Sequence, residues 1–334
     1  MTKGTKIFRI IISTLLALTM LCSAFFAVLF CIYLEDDVMD EKYGIYVAGV
    51  AVTRENRKDI LGDGTVSYNS YTNVLTFNNA TIESADTVVY SMIDLYIEVI
   101  GENKLICTNE ETAFGVYAGN GSLSKDLVII GDGSLTIEIP NAKLEAAGLS
   151  AAELTVGADL NITTPDCENM AHGLVCASAL LVIEKATVTI NNGASNYSCA
   201  ARVRGNALFE EETALKASQN PGCSGVCKGF NISGDLFLGK NTTLDVTIDD
   251  AATDLGECIR VSGLMEIGLG STVTASSKNA YAIECFGSIE ANKDATVSAV
   301  SDKKDAEIFC SGAVINSGAK INGEMDAIGG IHNR

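Results

Sequence analysis

A short phrase of the form apolar-x-Cys-x-Gly-x-apolar recurs along the chain and restricts its fold more than any other feature. It reads IFCSGAV at residues 308–314 and IECFGSI at residues 283–289. Looser copies give the phrase centre at positions 151, 176, 203, 227, 261, 285 and 310. Self-similarity with a period between about 20 and 50 residues is typical of stacked repeats, so each phrase indicates one structural unit of a stack.

A second series of apolar-x-apolar phrases accompanies the first. It begins at Leu135, Leu160, Val188, Leu215, Leu244, Val273, Val297 and Ile321. It follows the first series at a constant offset in four repeats, and within each phrase the apolar residues alternate with a period of two, which is typical of strands. The two series predict an all-β parallel β-helix (β-solenoid) of about eight or nine coils. We expect it to be right-handed, as parallel crossover connections nearly always are.

The charge of the chain argues against nucleic acid as a partner. The sequence has 23 Lys and Arg against 42 Asp and Glu, which gives a formal net charge of −19. An acidic protein of this kind repels phosphate groups and lacks the basic surface that nucleic-acid binding requires.

The cysteines have two interpretations. Nine of the 11 lie outside an apolar run near the N-terminus, and an odd number cannot all pair within one chain. At the phrase centre, Val203 and Val261 replace cysteine, so we interpret these cysteines as small buried hydrophobic residues. Neighbouring coils lie about 4.8 Å apart, however, so a disulfide between Cys285 and Cys310 is geometrically allowed.

The N-terminal segment predicts a membrane anchor. Residues 10–34 contain no charged side chain, and about 20 apolar residues suffice to cross a bilayer. Lys3, Lys6 and Arg9 precede the run and acidic residues follow it, so the positive-inside rule gives a single-pass cell-membrane protein with an extracellular C-terminal domain. Cleavage after Ala24 is the alternative to an uncleaved signal anchor over residues 1–34.

An acidic linker is predicted over residues 35–42, a small N-terminal β-cap over 43–83, the β-helix over 84–321 and a C-terminal tail over 322–334. The cap phrases LGDGTVSY (61–68) and NVLTFNNATI (73–82) resemble a module found in surface proteins of gut Firmicutes. The coil phrases GVYA (115–118) and LVIIGDGSLTI (127–137) resemble the carbohydrate-binding-domain family of extracellular parallel β-helix proteins. This resemblance implies an exported β-helix that binds polysaccharide, with calcium as a candidate cofactor.

One coil is expected to carry two protruding loops. The interval from position 227 to 244 is longer than the matching interval from 203 to 215, and the interval from 246 to 261 is also long. The second loop contains four carboxylates that suit a calcium ion, which takes about 6 to 8 oxygen ligands; they are Asp249, Asp250, Asp254 and Glu257. A solvated acidic loop is the alternative interpretation.

The function that these observations predict is non-catalytic binding of a polysaccharide or a host or cell-surface ligand. Ladders of Asn, Thr and Ser offer evenly spaced hydrogen bonds, and the candidate stacking residues are Tyr117, Tyr197 and Tyr281. A structural cell-surface rod or adhesin is one alternative. A pectate-lyase-like enzyme using Arg260 is another, although ion pairs with Glu257 and Glu284 would also explain this arginine. His172 precedes a glycine and is expected in a surface turn.

Overall fold

The computed structural model describes residues 42–120, 123–248, 256–278, 281–302 and 307–333. Among the described residues, 44–52 and those from 56 onward belong to one compact unit, which contains the repeats. It is an all-β parallel β-solenoid of about eight turns and of the right-handed type, with no helix among the described residues. The predicted β-solenoid is confirmed, whereas the predicted N-terminal membrane helix lies outside the described residues.

Thirty strands make up the regular structure of the described residues. In chain order they are β1 (Lys42–Val47), β2 (Val50–Thr53), β3 (Val66–Asn69), β4 (Val74–Asn78), β5 (Thr81–Ser84), β6 (Val89–Ser91), β7 (Leu95–Ile100), β8 (Glu102–Cys107), β9 (Thr112–Ala118), β10 (Leu127–Glu138), β11 (Glu145–Thr163), β12 (Met170–Val182), β13 (Thr187–Asn192), β14 (Tyr197–Val203), β15 (Ala207–Phe209), β16 (Ala214–Gln219), β17 (Val226–Ile232), β18 (Leu236–Leu238), β19 (Thr243–Ile248), β20 (Glu257–Val261), β21 (Met265–Ile267), β22 (Thr272–Ser277), β23 (Tyr281–Cys285), β24 (Ile289–Ala291), β25 (Thr296–Ser301), β26 (Ile308–Cys310), β27 (Val314–Asn316), β28 (Lys320–Asn322), β29 (Met325–Ala327) and β30 (Ile331–Asn333).

Each turn contributes to three parallel sheets. The long strands β10, β11 and β12 bend, and each of them therefore pairs in more than one of these sheets. Sheet A stacks β4, β7, β10, β11, β12, β15, β18, β21, β24, β27 and β30. Sheet B stacks β5, β8, β10, β11, β13, β16, β19, β22, β25 and β28. Sheet C stacks β6, β9, β11, β12, β14, β17, β20, β23, β26 and β29.

Antiparallel pairing is found at the N-terminal end of the solenoid. β3 pairs antiparallel with β4, and β1 pairs antiparallel with β6. Parallel pairing begins where β4 pairs with β7 and β5 pairs with β8. β4 and all but the last residue of β5 lie inside the range 43–83, which was predicted to form the cap. At the other end β30 still pairs parallel with β27, so the ladder continues into the range assigned to the tail.

The second apolar series is in register along sheet B from β10 to β28. Each member is the Cα partner of the next, from Leu135 on β10 to Ile321 on β28, and all but Ile321 are buried. This is the stacking that the sequence predicts. It places the apolar side chains of consecutive coils on top of one another in the core.

The first series was predicted correctly except at one position. The observed column consists of Ala151, Cys176, Val203, Ile232, Val261, Cys285 and Cys310. Ile232 therefore takes the place that the sequence pattern gives to residue 227. Cys227 instead pairs with Ser198. The interval from Ile232 to Leu244 equals that from Val203 to Leu215, so the predicted first loop is wrong. The second predicted loop falls within residues 249–255, which are not described.

Sheet C has a column of small residues where its strands carry two successive buried positions. The column consists of Gly115, Gly148, Gly173, Ala200, Gly229, Cys258 and Ala282. A Cβ atom added at Gly173 would lie 2.2 Å from Cγ2 of Ile190, which points inward from sheet B. Where the column has alanine instead of glycine, the facing residue of sheet B is smaller than isoleucine. Ala217, the Cα partner of Ile190, faces Ala200 in this way. The facing volumes of the two sheets therefore compensate one another, as close packing requires.

Candidate functional site

The outward side chains of sheet B form a regular polar surface, which we call the hydroxyl face. It consists of three in-register positions on each of β13, β16, β19, β22 and β25: Thr187, Thr189, Asn191, Ala214, Lys216, Ser218, Thr243, Asp245, Thr247, Thr272, Thr274, Ser276, Thr296, Ser298 and Val300. All but four of these side chains belong to Thr, Ser or Asn. The face arises because β-strand side chains alternate, so the residues beside each buried apolar residue point to solvent.

Most hydroxyl groups of this face are available to a ligand. Nine of them make no hydrogen bond with another described residue: those of Thr187, Thr189, Thr243, Thr247, Thr272, Thr274, Ser276, Thr296 and Ser298. Ser218 differs, because its hydroxyl donates to Oδ1 of Asn191 at 2.9 Å. Each free hydroxyl can both donate and accept a hydrogen bond.

A shallow depression lies on the hydroxyl face across β13, β16 and β19. Its cavity volume is about 130 Å³, and its polar lining consists of Thr189, Asn191, Lys216, Ser218, Asp245 and Thr247. Lys216 and Asp245 are Cα partners on β16 and β19. Among the described residues neither forms an ion pair, so both charged groups remain open to hydrogen-bond with a bound molecule.

The outer face of sheet C is different, because its aromatic rings contact one another. Tyr46, Tyr90 and Tyr117 form a column in which successive ring centroids are 5.8 Å apart. The edge of Phe114 also lies against Tyr117, at 5.6 Å. Ring stacking within the column covers the face of Tyr117 that lies against Tyr90, which reduces the area available to a sugar.

All three predicted tyrosines lie on this outer face of sheet C, and none is on the hydroxyl face. Tyr117, Tyr197 and Tyr281 are on β9, β14 and β23, so the strands that carry them are three strand steps, or about 14 Å, apart in each case. Tyr197 is contacted by the edge of His172 and by the guanidinium of Arg202, each 5.5 Å from its ring centroid. The three tyrosines predicted to stack on a sugar and the predicted ladder of Asn, Thr and Ser are therefore parts of two separate surfaces.

An ionic cluster occupies the same face of sheet C. Glu257 binds two cations: its Oε2 lies 2.9 Å from Nζ of Lys228, and its Oε1 lies 2.9 Å from Nη1 of Arg260. Arg260 also lies 3.6 Å from Oε2 of Glu284 and stacks over Phe286 at 4.8 Å. The ion pairs that the sequence suggested for Arg260 are present. They give this arginine a structural role that is independent of lyase chemistry.

The proposed calcium ligands are only partly within the described chain. Asp249, Asp250 and Asp254 lie outside the described residues. The fourth, Glu257, is neutralised by two cations, an arrangement that competes with metal binding. Within the described ranges, no group of three or more His, Cys, Asp or Glu side chains is arranged to hold a metal ion.

Glu284 gives the cluster a pH dependence. Burial, and then the negative charge of Glu257, raise the pKa of Glu284, while Arg260 opposes the shift. Because the native pKa is the higher one, this contribution to stability is complete below the unfolded value of about 4.5 and is lost as the pH rises through the native value. We expect Glu284→Gln to remove this part of the pH dependence.

Urea unfolding of the wild type and of Glu284→Gln at pH 4.5, 6 and 7.5 would measure the effect. The difference in unfolding free energy between the two proteins should shift in favour of the variant as the pH rises. Glu290→Gln, on the outer face of sheet A, is the matched control. A constant difference for Glu284→Gln across this range would contradict the prediction.

In comparisons by sequence and by structure, no family model, curated protein or solved structure matches the chain. The family resemblance drawn from the cap and coil phrases therefore stays a prediction. Among the described residues, no helix has the length and apolar character needed to cross a bilayer.

Proposed function

We propose that the protein binds a neutral polysaccharide along its hydroxyl face. The observation that carries this proposal is the array of nine hydroxyl groups, in register over four strands, that have no hydrogen-bond partner among the described residues. Sugar hydroxyls also both donate and accept, so every position of the array can pair with a sugar whichever way its hydrogen points. Equal strand spacing suits a ligand that is itself a regular polymer.

Charge favours a neutral polymer over an acidic one. The chain has a net charge of −19, and its field repels a polyanion. On the hydroxyl face itself, Lys216 and Asp245 cancel, so the local surface carries no charge preference. The depression around them provides one position where both a donor and an acceptor of full charge contact the sugar.

The proposal includes a location. The uncharged run at residues 10–34, with basic residues before it and acidic residues after it, supports an anchor that holds the solenoid outside the cell. A polymer at the cell surface would then be the ligand. The anchor and the hydroxyl face are independent parts of the proposal and can be tested separately.

The binding test compares Thr→Val replacements, which remove a hydroxyl but keep the branched shape that strands favour. The full chain and the variant Thr243→Val/Thr247→Val/Thr272→Val/Thr274→Val would be titrated with neutral glucans, mannans, xylans and galactans and with a uronate polymer, with and without calcium. Each lost hydrogen bond costs about 0.5 to 1.5 kcal/mol, so we expect affinity for a neutral polymer to fall about tenfold or more.

Two controls separate the faces. Thr155→Val removes a hydroxyl from the outer face of sheet A and should leave the affinity unchanged. Tyr197→Ala changes the outer face of sheet C and should also have little effect. If the tyrosine variant loses affinity while the fourfold threonine variant keeps it, the binding surface is sheet C and the proposal is wrong.

A further inference from the structure

Two pairs of cysteines are in contact inside the solenoid. Cys285 and Cys310 are Cα partners on the neighbouring parallel strands β23 and β26, and both are fully buried. The two thiols are near enough for Cys285 to lower the pKa of Cys310 and for Cys310 to raise the pKa of Cys285. Cys223 and Cys227, at the entry to β17, form a second buried pair, in which Cys227 lowers the pKa of Cys223.

The geometry of the first pair fits a disulfide. In-register residues on neighbouring strands are about 4.8 Å apart, and disulfides join Cα atoms about 4.4 to 6.8 Å apart. Both side chains point into the core from the same column, so their sulfur atoms approach without a change of strand register. In the second pair, Cys223 precedes the strand that contains Cys227, and the chain bends at residues 224 and 225 between them.

Other cysteines of the core lack such a partner and serve as internal controls. Cys176 is also buried and belongs to the same column as Cys285, but its register neighbours are Ala151 and Val203. Cys285 and Cys310 are thus distinguished from Cys176 by the identity of a single neighbour, because all three are buried in the same column.

We propose that Cys285 with Cys310, and Cys223 with Cys227, are sites of disulfide formation when the chain folds under oxidising conditions. The first bond links two neighbouring coils, and the second lies within one coil. In each pair two thiols lose two protons and two electrons as one S–S bond forms. The electron acceptor is a small-molecule disulfide, which is reduced to two thiols by exchange. Because the folded core excludes such a reagent, exchange takes place during folding, when the strands have paired and the core is still open.

The first linkage would act where the solenoid is least covered. The last turn, formed by β28, β29 and β30, pairs with the solenoid on one side only among the described strands. A disulfide between β23 and β26 fixes the strand on which β29 of the last turn packs. It also closes a loop of the unfolded chain, which lowers the entropy of the unfolded state.

Peptide mapping tests the proposal directly. The full chain, reduced and unfolded, would be refolded in a buffer of reduced and oxidised glutathione, alkylated in denaturant without reduction, digested and examined by mass spectrometry. We expect peptides linked through Cys285–Cys310 and Cys223–Cys227, with Cys176 alkylated. Recovery of all four paired cysteines in alkylated form, from a chain that unfolds cooperatively, would overturn the proposal, as would linkages shuffled onto Cys176.

A stability measurement gives a second, independent outcome. The urea midpoint of the refolded wild type should fall when a reductant is present throughout the titration. A variant with serine at positions 223, 227, 285 and 310 should show no dependence on reductant, whereas Cys176→Ser should behave like the wild type. Equal wild-type midpoints with and without reductant would count against the disulfides even if the serine variant failed to fold.

Discussion

The double variant Gly173→Ala/Ile190→Ala should lose less stability than its two single variants lose together. A Cβ atom at position 173 would lie 2.2 Å from Cγ2 of Ile190, so Gly173→Ala overpacks the core and should cost about 1 to 3 kcal/mol. Ile190→Ala leaves a cavity and should cost about 2 to 5 kcal/mol. In the double variant the new methyl group enters that cavity, and we expect a favourable coupling of about 0.5 to 3 kcal/mol.

The chain itself supplies the precedent for this double variant. In the next coil, Ala200 and Ala217 occupy the two facing positions. Urea unfolding of the wild type, the two single variants and the double variant would give the coupling energy. Gly173→Ala combined with Val297→Ala, several coils away, is the control and should be additive. Additive costs for Gly173 and Ile190 would show that the backbone carbonyl of Ala200, 2.4 Å from the added Cβ, dominates the cost instead.

The sequence predicted the fold because the apolar series of sheet B repeats without interruption. From β10 to β28, every turn keeps one branched or leucine side chain at that position, so the register could be read directly from the spacing. The series of sheet C was harder to assign, because Cys227 stands in a Cys-x-Gly phrase that imitates the phrase centre. Gly229 and Phe230 are two successive buried residues, so the alternation of buried and outward positions shifts by one residue there. The true phrase centre, Ile232, follows this shift.

The candidate site was only partly predictable for a related reason. The ladder of Thr, Ser and Asn was expected, and the residues flanking each member of the sheet B series would have identified its strands. The sequence could not show that Tyr117, Tyr197 and Tyr281 belong to a different sheet, because residues in one repeat share a period whichever sheet they join. The ionic cluster of Lys228, Glu257, Arg260 and Glu284 depends on contacts across three coils, of which the sequence suggested only those of Arg260.

His172 shows how one misread glycine changes a prediction. The sequence pattern assigned it to a surface turn because Gly173 follows it. In the structure both residues belong to strand β12, Gly173 is a small residue of the core column, and the side chain of His172 is 6% exposed. Its Nδ1 lies 3.4 Å from the carbonyl oxygen of Cys199. The surface assignment is therefore wrong, and a buried imidazole in the sheet has a consequence for stability in acid.

We expect His172 to destabilise the protein as the pH falls. Burial lowers the pKa of His172 from 6.5 to about 4, and the positive charge of Arg202 adds to the shift, while the Cys199 carbonyl opposes it. Since the unfolded state then binds the proton more tightly than the native state, the stabilisation is complete above about pH 6.5 and is lost progressively towards pH 4. A shift of this size corresponds to about 3 kcal/mol.

Urea unfolding at pH 7, 5.5 and 4 would measure this loss in the wild type and in His172→Gln, which keeps a hydrogen-bonding group without the titration. His332, the second histidine, is exposed near the C-terminal end, so His332→Gln is the matched control. Carboxylates that titrate in this range are common to all three proteins, and so their effect cancels in the differences. The wild type and His332→Gln should each lose about 3 kcal/mol more than His172→Gln between pH 7 and pH 4. An equal loss in all three would mean that His172 accepts its proton in the native state at little cost, and that its burial does not control the acid stability of the solenoid.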